Sequence, residues 1–268
     1  MKILFIGDVV GRPGREAVRQ ILPRLRSELS IDFVIANAEN SAGGKGITTE
    51  VSHTLFESGV DALTGGNHTW QNKDGIKAIQ ENERILRPAN HPTDMPIPGK
   101  GAAAFPAGCG GKVGVVNLQG RIFMTPLDCP FRAATREITR LATETRIIIV
   151  DFHAEATSEK IAMGWYLDGK ASAVIGTHTH VQTADEQILP NGTAYITDAG
   201  MTGPHDGVIG VQKQIVLENM LTRLPVRHKL AEGNIRLNAI LLNIDAESGR
   251  AVSIERISKK IKASNGAV

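Results

Sequence analysis

Short apolar runs alternate along the chain with polar turns and with segments of helical spacing. The runs at residues 3–6, 33–35 and 147–150 are continuous, which is typical of strands buried on both faces of a sheet. Residues 15–29 instead repeat apolar positions every three or four residues, as on one face of a helix. The repeated order of strand, polar turn and helix predicts βαβ units around a mostly parallel sheet.

The same reading predicts the remaining elements. Pro23 should kink or split the first helix, because proline removes a backbone donor. Two hairpins are expected late in the chain, and the antiparallel character after about Pro190 predicts a second sheet built there. The predicted strands are 2–7, 32–36, 61–64, 85–87, 102–105, 112–118, 146–151, 173–175, 186–189, 194–196, 237–244 and 251–256, and the helices are 15–29, 49–57, 74–83, 131–144, 158–168 and 216–224.

Polar side chains able to bind a metal follow five of these strands. Carboxyl ends of parallel strands lie on one edge of a sheet, so residues far apart in sequence are expected to converge there. Each could instead serve only a turn, a cap or the core, but five coincidences at one kind of position favour a shared site. These residues are Asp8, Glu39 with Asn40, Asn67 with His68, His153, and His178 with His180.

Two of the histidines lie two positions apart. His178 and His180 follow the short apolar strand 173–175 and a glycine. Side-chain direction repeats every two residues in extended chain, so both imidazoles are expected to reach a common site. The alternative is a pair of surface histidines on a loop.

This set of ligands suits two metal ions. One carboxylate must bridge if the ions are to lie roughly 3.5–4 Å apart. Nitrogen and oxygen ligands without thiolates favour manganese, iron or zinc over a structural zinc site. Two divalent ions carry four positive charges, of which Asp8, Glu39 and a bridging hydroxide cancel three. The remaining positive charge suits an anionic phosphodiester.

Composition sets broad limits on the protein. The 268 residues are 41% hydrophobic, which is enough for a large core. A net charge of +2 is too small to act as a footprint for nucleic acid. Cys109 and Cys129 have no CxxC spacing, the N-terminal apolar run is too short for a signal peptide, and no stretch approaches the roughly 20 apolar residues of a membrane span. A cytoplasmic protein without a membrane partner is expected.

Several motifs resemble those of the calcineurin-like metallophosphoesterases. The blocks at residues 7–8, 66–68 and 176–180 are similar to the signatures of that superfamily. The blocks at 7–11, 37–44 and 65–70 are more closely similar to its YmdB-like bacterial branch. The resemblance runs essentially end to end. It implies an α/β fold with one metallophosphoesterase domain over residues 1–268, a four-layer α/β/β/α sandwich of two β-sheets flanked by helices.

The first block departs from the superfamily pattern. Val9 and Val10 follow Asp8 where a DxH block has its histidine. In the YmdB-like branch, the resemblance implies, Glu39 bridges the ions and Asn40 takes the place of that histidine. One metal then has Asp8, Glu39, Asn40 and His180, and the other has Glu39, Asn67, His153 and His178. His68 is not a ligand in this scheme but the general acid.

The resemblance implies a dinuclear phosphodiesterase with iron or manganese as its metals. The expected substrates are cyclic nucleotides such as 2′,3′-cAMP, attacked by a metal-bound hydroxide while His68 protonates the leaving group. The glycine-rich segment 41–46 and the segment 197–210 are candidates for substrate contact, although both could be ordinary loops. The polar candidates in the second segment are Asp198, Thr202, His205 and Asp206.

Other functions share parts of this pattern. A phosphomonoesterase or nucleotidase would use every one of these ligands. A metal-binding signalling protein with little catalysis would keep the site without the activity. An amidohydrolase barrel also uses a His-x-His pair, but normally on its first strand, whereas the pair here comes late. RNA stays a less favoured substrate because no arginine-rich strip is present, and assembly into a homo-oligomer stays open.

Overall fold

Two β-sheets form the centre of the structure, a computed structural model that describes residues 1–92, 94–108 and 110–261. The strands are β1 (Lys2–Ile6), β2 (Asp8–Val9), β3 (Phe33–Asn37), β4 (Ala62–Thr64), β5 (Ile85–Leu86), β6 (Ala102–Pro106), β7 (Lys112–Gln119), β8 (Ile148–His153), β9 (Ala173–Thr177), β10 (Gln187–Ile188), β11 (Ala194–Ile196), β12 (Met201–Pro204), β13 (Ile235–Ile244) and β14 (Ala251–Lys260). The helices are α1 (Gly11–Leu29), α2 (Thr49–Glu57), α3 (Lys73–Glu81), α4 (Pro130–Leu141), α5 (Thr157–Leu167) and α6 (Lys213–Thr222).

The first sheet has eight strands in the order β2-β12-β13-β1-β3-β4-β5, with β14 paired to β13. Strands β1, β3, β4 and β5 run parallel, as the βαβ pattern predicts. Strand β13 is antiparallel to β1 and to β14. The C-terminal hairpin therefore extends this first sheet.

The second sheet has six strands in the order β10-β11-β9-β8-β7-β6. Its central strands β7, β8, β9 and β11 are parallel, and the antiparallel hairpins expected for β6 with β7 and for β10 with β11 close its two edges. The expectation that the second sheet is built after Pro190 was wrong. It comes mainly from the middle of the chain, because the long apolar strand β13 pairs with β1 instead.

Alternating side chains of the first strand enter two different cores. Leu4 and Ile6 face the helices α1, α2 and α3, whereas Ile3 and Phe5 face the second sheet. The outer face of the second sheet packs on α4 and α5, where Val150 and Phe152 are fully buried. These three cores separate four layers, so the predicted α/β/β/α sandwich is confirmed and the amidohydrolase barrel is excluded.

Two local features differ from the sequence prediction. Helix α1 runs unbroken from Gly11 to Leu29 with Pro23 inside it, so the predicted split does not occur. The short strands β2 and β12, which pair with each other, were not predicted, because two to four residues carry no measurable periodicity. No helix in residues 1–92, 94–108 and 110–261 has both the length and the hydropathy to cross a bilayer.

Candidate metal centre

The predicted ligands lie together where strands of both sheets end. Asp8 begins β2, directly beyond β1, and Glu39 follows β3 by two residues. From the second sheet, His153 is the last residue of β8 and His178 comes directly after β9. The convergence expected at one sheet edge is therefore real, and it joins the ends of two sheets that face each other.

One cluster is formed by a carboxylate, an amide and two imidazoles. Nε2 of His153 lies 3.2 Å from Oε1 of Glu39 and 3.0 Å from Oδ1 of Asn67. Nδ1 of His178 lies 3.0 Å from the same Nε2 atom. Ligand atoms of Glu39, His153 and His178 all fall within 4.8 Å of one another, which is the spacing of groups that hold a single metal ion.

A second cluster adjoins the first through Glu39. Asn40 Nδ2 lies 2.9 Å from Oε1 of Glu39 and 3.2 Å from Nε2 of His180. The same His180 nitrogen lies 3.8 Å from Oδ1 of Asp8. Only the oxygen of an amide binds a metal, so ligation by Asn40 together with His180 requires the amide to rotate by half a turn.

Asp8 provides the test of whether metals fit these residues. Its Oδ1 atom is fully buried and accepts no hydrogen bond from any described residue. Burial raises the pKa of this carboxyl, with the His180 and His153 imidazoles acting in the opposite direction. A buried oxygen left without a proton donor is costly unless a cation satisfies it. Together with nitrogen and oxygen ligands that face one another, this oxygen fits a bound metal.

Hydrogen bonds behind the site orient His153. Thr177 donates its hydroxyl proton to Asp151 Oδ1 at 2.7 Å, so its oxygen can accept from Nδ1 of His153 at 2.9 Å. Asp151 also accepts from Thr64 at 2.5 Å and from Asn37 at 2.9 Å. In the neutral ring this leaves the proton on Nδ1 and the lone pair of Nε2 towards the cluster, as metal-binding histidines require. Burial raises the pKa of Asp151 to about 6.

Charge is distributed unevenly among the ligands. Burial alone would raise the pKa of Glu39, but the charge and hydrogen bond of His153 hold it well below its usual range. Burial alone would lower the pKa of His153, but the charge and hydrogen bond of Glu39 outweigh the effect of burial and raise this pKa to about 9. Burial and the neighbouring His153 lower the pKa of His178 to about 3. Glu39 is therefore a carboxylate able to bridge two cations.

The histidine pair does not adopt the extended backbone assumed from sequence. His178 has φ 93° and His180 has φ 65°, both in the left-handed region. Strained backbone of this kind clusters at functional sites. Asp198 secures the loop, because it accepts hydrogen bonds from the backbone and hydroxyl of Thr179 at 3.0 and 2.6 Å. Both imidazoles reach the centre, but the turn directs them there rather than strand alternation.

Asp198 is therefore not a substrate contact. It is fully buried and paired with the buried ammonium of Lys160 at 2.8 Å. Thr202 is also buried and bonded to the backbone of Asn238. The expectation that these two polar residues of segment 197–210 face a substrate was wrong. The apolar residue Ile209 of that segment lies in the cleft instead.

His68 lies at the rim of the centre. Its backbone N–H donates to Oε2 of Glu39 at 2.9 Å, and its Nδ1 lies 3.2 Å from Oε1 of Glu39 and 2.9 Å from Oδ1 of Asn40. Nδ1 makes the hydrogen bonds of the ring among the described residues, so Nε2 is the nitrogen open to a ligand. Gly66 allows this packing, because a Cβ there would lie 2.4 Å from both Glu39 and His153.

A cleft of about 780 Å³ opens over the two clusters. This volume falls in the range of sites for small organic ligands. The polar groups of the centre, including His68, line it, and the predicted glycine-rich segment contributes Gly43 and Gly44. The other residues that line the cleft include Lys45, Glu155, Ile209, Val211, Val226, His228, Lys229 and Leu230.

Sequence reasoning missed several residues that support the centre. Asp151 had a usable signal, since a carboxylate inside an apolar strand needs a buried partner. Glu155 and Thr177 had no such signal in the sequence, because only the folded backbone brings them to their histidines. Oε2 of Glu155 lies 3.0 Å from Nε2 of His178. Cys109 lies outside the described residues, and Cys129 is a free, partly buried thiol.

Comparisons with known proteins find one matching family and a similar protein of bacterial origin. A family model described as YmdB-like protein matches residues 4–257. A Bacillus subtilis (strain 168) protein named 2′,3′-cyclic-nucleotide 2′-phosphodiesterase is 52% identical over 257 residues, which cover 96% of each chain.

Two solved structures share the fold over nearly their whole length. A hypothetical protein from Thermus thermophilus has a TM-score of 0.89 at 45% identity, covering 97% of this chain and 99% of the other. A protein described as a novel phosphatase from Mycoplasma pneumoniae has a TM-score of 0.90 at 34% identity, covering 97% and 93%.

Proposed function

This chain belongs to the YmdB-like protein family, and from that premise we propose that it is a metal-dependent phosphodiesterase acting on 2′,3′-cyclic nucleotides. The relative that carries this activity in its name is similar over 96% of both chains. The observation that supports the proposal most is the meeting of Glu39, His153 and His178 in one ligand cluster beneath an open cleft.

The two clusters define the proposed metal sites. Two ions, iron or manganese, would be held by residues that share the Glu39 carboxylate, whose Oε1 atom lies 3.2 Å from Nε2 of His153 and 2.9 Å from Nδ2 of Asn40. When bound, the ions supply an activated water at neutral pH and neutralise charge on the phosphoryl oxygens. One set of ligands is Asp8, Glu39, Asn40 and His180, and the other is Glu39, Asn67, His153 and His178.

His68 acts as the proton donor in this proposal. Its Nδ1 lies 3.2 Å from Oε1 of Glu39, which fixes the ring and leaves Nε2 for the substrate. As the oxygen of water bonds to phosphorus, the bond between phosphorus and the 2′ oxygen breaks. Nε2 of His68 gives its proton to that oxygen, so the product is a 3′-phosphate with a free 2′-hydroxyl.

Both sheets are needed for this site. Asp8 and Glu39 follow strands of the first sheet, whereas His153 and His178 follow strands of the second. We therefore propose that residues 1–268 act as a single metallophosphoesterase domain. The cytoplasmic location stays a prediction from the sequence.

Direct assay tests the proposal. Protein loaded with manganese or iron is incubated with 2′,3′-cAMP, and products are separated by chromatography. Turnover to 3′-AMP supports the proposal, and absence of turnover, or release of 2′-AMP, contradicts it. Parallel reactions with 3′-AMP and with a short RNA decide between this activity, a phosphomonoesterase and a nuclease. Protein with Glu39→Ala is the control for contaminating activity.

A further inference from the structure

A tight turn in the cleft carries a residue that the turn itself does not favour. The backbones of Val208 and Val211 exchange hydrogen bonds of 2.8 and 2.9 Å around the two residues between them. Those residues, Ile209 and Gly210, have φ 44° and 92°. Two positive φ values in a two-residue hairpin loop are the mark of a type I′ turn.

Isoleucine is a poor residue for the first central position of such a turn. Asparagine, aspartate and glycine are preferred there, and a β-branched residue at positive φ is a clear outlier. Burial does not explain the choice, because the Ile209 residue is 53% exposed. An Asn-Gly turn would satisfy the backbone better, so the side chain of Ile209 needs another explanation.

The position of Ile209 links it to the metal centre. Its carbonyl oxygen lies 3.1 Å from Nδ1 of His180, so the turn orients that imidazole. Its side chain lines the same cleft as His68 and His178. An exposed apolar side chain is thus held in the cleft that binds the phosphate in the proposed reaction.

Other apolar side chains line the cleft with Ile209. Val211, Val226 and Leu230 are among them, and all three are partly buried. Leu230 is wedged against Gly11, where a Cβ would lie 2.3 Å from its Cδ1 atom. Ligand sites commonly combine apolar side chains with a few polar groups that fix orientation.

We propose that Ile209, with Val211, Val226 and Leu230, forms the subsite for the nucleobase of the substrate, and that Ile209 is its main contact. The inference rests on the proposed function of the site as a phosphodiesterase. These apolar side chains cover a face of the planar base, while the metal centre and His68 engage the cyclic phosphate. Hydrophobic contact of this kind recognises a base by its faces, without reading its hydrogen-bonding edge.

The experiment compares two substrates that differ only in the base. They are 2′,3′-cAMP and the 2′,3′-cyclic phosphate of methyl ribofuranoside, which has a methoxy group in place of adenine. Ile209→Asn is the informative variant, because asparagine suits the turn and leaves the carbonyl to His180 in place. Ile122→Asn is its matched control, since Ile122 is an isoleucine 42% exposed in a turn outside this cleft.

The expected result is a selective loss of base recognition. Ile209→Asn should raise KM for 2′,3′-cAMP about tenfold more than KM for the base-free substrate, in the range known for small apolar contacts. Its Kd for 3′-AMP, measured by calorimetry, should rise by a similar factor, and its unfolding midpoint should not fall. Ile122→Asn should leave the ratio of the two KM values unchanged.

Other outcomes separate this inference from the proposed function. A KM ratio unchanged in both Ile209→Asn and Ile209→Ala would overturn the subsite, as would equal KM values for the two substrates in the unmodified protein. In either case turnover itself would still support the phosphodiesterase. Failure of the unmodified, metal-loaded protein to hydrolyse either substrate would instead refute the proposed function.

Discussion

Nδ1 of His178 lies 3.0 Å from Nε2 of His153, so two imidazole nitrogens face each other in a largely buried site. Only one proton can occupy the space between them. Burial and the charge of His153 lower the pKa of His178 to about 3, and Glu39 raises that of His153 to about 9 despite its burial. Without metal, His153 therefore carries a proton at neutral pH that faces both Glu39 and His178 and is shared between them.

Metal binding to this pair should therefore depend on pH. The pKa of His153 is raised from the usual 6.5 to about 9. A cation binds the deprotonated ring, so at any pH below this pKa it must displace the proton of His153. Apparent affinity for manganese should rise about tenfold per pH unit between about pH 6.5 and 8.5 and level off above about pH 9. Competition with a chelator of known affinity measures this slope.

The control for that slope is His153→Ala. Removing the ring removes the competing proton, so the weaker affinity that remains should vary less with pH. An affinity of the unmodified protein that is independent of pH, after correction for the chelator, would contradict the shared-proton account.

Glu155 should strengthen metal binding without touching the metal. Its Oε2 atom lies 3.0 Å from Nε2 of His178, so it accepts the proton on the far side of that ring and leaves Nδ1 as the ligand. Glu155→Ala should weaken metal affinity by about 10- to 100-fold, and Glu155→Gln, which keeps an acceptor, should have a smaller effect. Metal titration followed by calorimetry gives both values.

Glu247→Ala provides the comparison, because Glu247 is an exposed glutamate in the turn between the last two strands. It should leave the affinity unchanged. Equal affinities for Glu155→Ala and the unmodified protein would show that the carboxylate has no part in holding His178.

His68→Ala should reduce turnover most for poor leaving groups. A ribose oxygen needs a proton as it leaves, whereas p-nitrophenolate does not. We expect a fall of about 10²- to 10⁴-fold with 2′,3′-cAMP and a much smaller fall with bis(p-nitrophenyl) phosphate. Metal content must be measured in the same samples, since His68 contacts Glu39 and Asn40. Equal losses on the two substrates, with both metals retained, would refute the proton-donor role.

Gly66→Ala should disturb the centre through its geometry. The added Cβ would lie 2.4 Å from Oε2 of Glu39 and 2.4 Å from Cδ2 of His153, so two ligands must move. Overpacking of this kind destabilises by about 1–3 kcal/mol, and metal affinity should fall at least tenfold. Gly108→Ala is the control, because its Cβ would meet only an ordinary contact of 3.5 Å. Similar metal affinities for the two variants would contradict the close packing described for Gly66.

Much of the fold follows from the apolar pattern. The buried strands β1 and β8 stand out as continuous runs, and the four layers agree with the family resemblance. The sequence could not tell which sheet the C-terminal hairpin joins, because pairing between distant strands depends on registers that local pattern does not encode. The long helix across Pro23 shows tertiary packing outweighing local propensity.

The site was predictable where chemistry coincides with a strand end. Asp8, Glu39 and His153 were found because a parallel sheet gathers its carboxyl ends. Glu155 and Ile209 were not, because each acquires its role only through a neighbour distant in sequence. The left-handed backbone of His178 was also beyond sequence reasoning, since no glycine or asparagine marks it.

The central claim is that two clusters share the carboxylate of Glu39, and metal content per chain tests it most directly. Mass spectrometry of dialysed protein should find two ions in the unmodified chain and one in His153→Ala or His180→Ala. Glu39→Ala should retain neither ion, while its circular dichroism spectrum should remain that of the folded chain. Two ions bound to folded Glu39→Ala, or a single ion in the unmodified protein at saturating metal, would contradict the account.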